Sequence, residues 1–73
     1  MENQTKALIA LLSQAQDSLV ANFGFNFAPY EVFHGEAQDL IDSIRFNQKS
    51  GDEQELLSCI NSAFALIDEI AAL

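Results

Sequence analysis

From Asp52 to Leu73 the chain reads DEQELLSCINSAFALIDEIAAL, and at about 100° per residue its apolar side chains gather on one side of a helix. Leu73, Leu66, Cys59, Ile70, Ala63, Leu56, Ile67, Ile60, Ala71, Phe64 and Leu57 follow one another round an arc of roughly 200°. A helix resting on one surface needs a stripe only about 100° wide. An arc twice that width requires at least two neighbouring elements, so the rest of the chain is expected to pack on this segment.

With 73 residues the chain is one domain, at a size where a single core is marginal unaided. The usual staples are missing. A single cysteine, Cys59, excludes an intrachain disulfide, and a single histidine, His34, leaves a metal cluster short of ligands. Oligomerisation is the remaining route to extra burial, and a hydrophobic fraction of 49% supplies the surface for it.

Eleven acidic residues against three basic ones (Lys6, Arg45 and Lys49) leave a formal charge of -8. A nucleic-acid duplex or an anionic membrane surface is repelled by that balance, which argues against direct binding of either. The longest apolar run, Ala7 to Leu12, is about a third of the length a spanning helix needs. With Glu2 ahead of it and Gln14 and Gln16 behind, it also makes a poor signal peptide. The expectation is a cytoplasmic protein whose lone thiol sits in a reducing compartment.

Three helices are predicted. The first covers about 4–22, with Thr5 as candidate N-cap and Gly24 as a left-handed stop. Its seam is Leu8, Leu12, Ala15, Leu19 and Phe23, flanked by Leu11 on one side and Ile9 and Val20 on the other, with Gln16 at a partly wet edge. Residues 23–30 form an aromatic loop that plugs one end of a bundle. The second helix, about 29–47, starts at Pro29, is weakened at Gly35, and presents Tyr30, Phe33, Ala37, Leu40 and Ile44 on a stripe about 100° wide. Asn47 to Gly51 reads as a polar turn. A capping box, Ser50 with Glu53 or Asp52 with Glu55, then opens the third helix at about 52–73. The fold class is all-α: a small antiparallel three-helix bundle, one domain over 1–73, associating through its C-terminal helix.

No set of side chains converges on catalysis. His34 lies at the stripe's edge with only Glu31 near it, Cys59 falls inside the apolar arc, and no phosphate loop, nucleophile elbow or metal spacing occurs. A non-enzymatic chain without cofactor or metal is expected. Glu36, Asp39 and Asp42 recur at three-residue intervals along the outer side of the second helix, and Phe46 points away from its stripe; these four are the candidate partner-binding residues. Leu66, Ile70 and Leu73, on one edge of the last helix, are the candidate homodimer interface. The expected function is protein–protein interaction, with an unidentified partner protein held by apolar and acidic helix surface. A second reading is an inhibitor, of the kind a phage or mobile element carries, whose carboxylates imitate nucleic-acid charge and block a DNA- or RNA-binding protein. A third places a small ligand or an enzyme site between Tyr30, Phe33 and His34.

Overall fold

The computed structural model describes residues 2–24 and 30–73. They form three helices, α1 (Glu2–Phe23), α2 (Glu31–Ser50) and α3 (Glu53–Ala71), with no strand among the described residues. The expected aromatic loop falls mainly on residues 25–29, outside the described ones. Its two ends are described. The Phe23 and Tyr30 rings stack with centroids 4.0 Å apart and planes 23° from parallel, which ties the end of α1 to the start of α2.

The helix ends follow local chemistry. Gly24 and Gly51 both take positive φ, 63° and 78°, the left-handed conformation that stops a helix. At Gly51 the backbone N–H donates to the Asn47 carbonyl at 3.0 Å, closing α2. One residue on, the Asp52 carboxylate accepts from the Glu55 N–H at 3.1 Å and caps α3. Of the two capping boxes expected, it is Asp52 that caps; Ser50 is the last residue of α2, with its hydroxyl donating to the Asn47 carbonyl. Gly51→Ala adds a Cβ into open space, so its whole effect is conformational. It is expected to cost about 1–2 kcal/mol, and Gly51→Asn distinctly less, both readable from urea melts.

Two boundaries differ from expectation. α1 begins at Glu2, so Thr5 is an interior residue and not the cap. Its side chain turns inward, is 1% exposed, and accepts a hydrogen bond from Gln48 Nε2 at 2.9 Å. α2 runs to Ser50 and takes in most of the expected turn. Asn47 is buried there, its Nδ2 donating to Cys59 Sγ at 3.7 Å. Gly35 leaves α2 unbroken.

The direction of the chain follows from who meets whom. Gln16 donates to the His34 carbonyl and to Gln38 Oε1, both at 3.2 Å, while Thr5 meets Gln48, so α1 and α2 run antiparallel. Asn47 meets Cys59, and Leu40 shares a groove with Leu66, so α2 and α3 do likewise. Along the shared axis Leu8, Leu12, Leu19, Ala37, Ile41, Ile44, Leu56, Cys59, Ala63, Leu66 and Ile70 form one core. Gln16, expected at a wet edge, is buried, and both protons of its amide are used. Among the described residues no buried side-chain nitrogen or oxygen lacks a partner.

Candidate interaction surface

The outward side of α2 is acidic. Glu36, Asp39, Asp42 and Phe46 are all exposed, and Phe46, at 70%, is the most exposed of the large apolar side chains among the described residues. Residues three apart on a helix step back by about 60°, so the three carboxylates wind round α2 and do not form a straight row. Glu36 and Asp39 turn toward α3. With Glu69 they rim an open groove floored by Leu40, Ala65 and Leu66. Asp42 lies on the other side, accepting from Gln38 Nε2 at 3.2 Å.

Phe46 stands at the end of the bundle, over an open cleft lined by Arg45, Lys49, Gly51, Glu53 and Leu56. Lys6 and Arg45 line a second recess beside it with Asn3, Ile9 and Gln48. All three bases of the chain therefore sit at the end where α1 begins and α2 ends.

The wide arc of α3 divides in two. Leu56, Cys59, Ala63, Leu66 and Ile70 are buried in the core, whereas Leu57 and Phe64 are half exposed and Ile60 and Ile67 only partly covered. Leu66 and Ile70, expected to face a second chain, are turned inward against α1 and α2; of that trio only Leu73 is exposed. The arc is correct, but its opposite edge faces out. Nothing in the width of the stripe says which half turns inward; Ser62, Ala65 and Glu69 border the α2 groove beside Leu66, so α2 lies along that edge and covers it.

No protein-family model, curated protein or solved structure matches this chain. Its function has to be argued from its own surface.

Among the described residues no three metal-ligating side chains come together, and no helix is long and apolar enough to cross a membrane. Cys59 is buried and accepts a hydrogen bond from Asn47. Tyr30 lies against Phe23, Phe33 packs on the core, and the His34 carbonyl is held by Gln16. Those three residues serve the joint between α1 and α2.

Proposed function

We propose that this chain is a small non-enzymatic protein-interaction domain that pairs with itself and holds a partner protein on its acidic α2–α3 side. The observation that carries the reading is the groove between those helices: three carboxylates, Glu36, Asp39 and Glu69, stand round an apolar floor of Leu40 and Leu66. A surface of that kind suits a segment with basic residues flanking an apolar anchor. The carboxylates steer the encounter and fix register, and the floor supplies burial. Phe46, exposed on the same helix, extends the contact.

The nucleic-acid mimicry reading asks more of these residues than their arrangement offers. A duplex carries one charge per ~1.7 Å of axis, whereas carboxylates three residues apart on a helix are separated by about 4.5 Å along it and here diverge round the barrel of α2. Salt separates the two readings. Binding through mimicry collapses between low and moderate ionic strength, and docking on a partly apolar groove weakens only modestly.

The test is capture of partners from the native host by two baits, the natural chain and one carrying E36Q, D39N and E69Q. Loss of the captured partner with the amide bait, at least tenfold by quantitative mass spectrometry, is the expected result. A partner retained equally by both baits contradicts the groove assignment.

A further inference from the structure

α3 carries two heptad seams side by side. Leu56, Cys59, Ala63, Leu66 and Ile70 recur at three-four-three-four spacing and fill the core of the chain. Leu57, Ile60, Phe64, Ile67 and Ala71 repeat the same spacing one residue later, about 100° round the helix. This second set has the pattern of a coiled-coil seam, yet its side chains are half exposed or only partly covered. It lies on the flank of α3 nearer α1, because the opposite flank borders α2. On α1, Ile9 and Lys6 face α2 across their recess, so the exposed Leu11, on the other flank, extends the same surface.

We infer that a second copy of this chain covers the outer seam, with α3 packed antiparallel on the partner's α3 about a two-fold axis that crosses the seam midway between Ile60 and Phe64. Charge selects this occupant. For a chain of net charge -8 the side bearing Leu11 and Phe64 is where two copies approach most cheaply, since Glu53 and Asp68, at its margins, are the only charged residues of α3 beside the seam. Charge also selects the direction. Lys6, Arg45 and Lys49 lie at one end of the bundle, where Asp52, Glu53 and Glu55 offset them, and Asp17, Glu31, Glu36, Asp39, Asp68 and Glu69 lie toward the other, where there is no base. An antiparallel pair sets the charge-balanced end of each copy beside the acidic half of its partner, whereas a parallel pair sets the two acidic halves against each other.

The register agrees. About that axis Leu57 meets the partner's Ile67 and Ile60 meets the partner's Phe64, each twice by symmetry, giving four consecutive apolar layers. At the exposed edge Asn61 meets the partner's Asn61 and Gln54 meets the partner's Asp68, so no carboxylate faces another. The size fits too. The bundle measures 38 × 17 × 16 Å, and only a long side approaches the roughly 800 Å² per partner of a stable interface.

This rests on the reading of the chain as an interaction domain that pairs with itself, and its test is independent of the acidic groove. Sedimentation equilibrium is run on the full chain, on F64E, and on V32E as a control on the outer face of α2. The natural chain and V32E are expected to dimerise at micromolar concentration, with F64E weakened roughly 100-fold or more and its far-UV circular dichroism unchanged. For direction and register, Q54C and D68C variants are mixed with a short bismaleimide. They are expected to cross-link to each other and neither to itself. A natural chain that stays monomeric at high micromolar concentration, or F64E that dimerises as before, overturns the proposal, and Q54C cross-linking to itself overturns the antiparallel order. None of these outcomes alters the capture result with E36Q, D39N and E69Q, so failure of the pairing and failure of the groove are read separately.

Discussion

Leu12→Ala lowers the unfolding free energy by about 2–5 kcal/mol, the largest single effect expected in this chain. Leu12 has no exposed surface and sits midway along α1, where the inward faces of all three helices meet. Removing three carbons there forfeits their burial and leaves a cavity that three helices held at both ends close only in part. At 0.05–0.15 kcal/mol per residue a domain of this size has roughly 4–11 kcal/mol in total. The variant is therefore expected to be partly unfolded at room temperature when dilute. Leu11→Ala, one position along and turned outward, is the control, and at concentrations below those at which two copies pair it is expected to change stability by less than about 1 kcal/mol in the same urea titration. Equal losses for the two would mean that α1 presents a different face to the core.

Ala63→Leu is the second large effect, in the opposite sense of volume. Ala63 is fully buried at the middle of the inner seam of α3, and its small side chain lets the helices approach. Three added carbons enter a position that has no exposed surface. The helices must separate or neighbouring side chains must leave their rotamers, at about 1–3 kcal/mol. Ala65→Leu, two residues on and exposed, is expected to stay within about 0.5 kcal/mol of the natural chain. The pair can be compared by thermal unfolding, and a neutral Ala63→Leu would show that the core holds unfilled volume at this layer.

What the sequence made legible was periodicity. The stripes of Leu8, Leu12 and Leu19, of Ala37 and Ile44, and the wide arc of α3 are all where spacing places them, as is the glycine stop at 24. The residues that resisted reading are polar ones whose partners are distant in sequence. Thr5 is a good N-cap by type, and its partner, Gln48, lies 43 residues away. Asn47 looks like a turn residue until its amide is seen against Cys59, and Gln16 looks wet until both its protons are seen engaged on α2. Each is a case in which tertiary satisfaction decides burial and local type does not.

The candidate site divides the same way. Glu36, Asp39, Asp42 and Phe46 are exposed, as their distance from the stripe of α2 requires. That Glu69 joins two of them round a groove is a fact of packing between helices, invisible along either one. The edge of α3 was misread for a related reason. A 200° arc has two equivalent halves on a helical wheel, and only the position of α2 breaks the tie. Once it does, the two sides of the molecule separate by character: carboxylates on the α2–α3 side, and nearly uncharged apolar surface on the α1–α3 side.

That separation is the central claim, and a dilution series followed by amide chemical shifts of the isotope-labelled chain tests it most directly. Between millimolar and low micromolar concentration the shifts are expected to move at Leu57, Ile60, Asn61, Phe64 and Ile67 on α3 and at Leu11 on α1. Val32, Glu36, Asp39, Asp42 and Phe46 on the outer side of α2 should stay fixed. Movement concentrated on α2, or no movement anywhere over that range, would contradict the account.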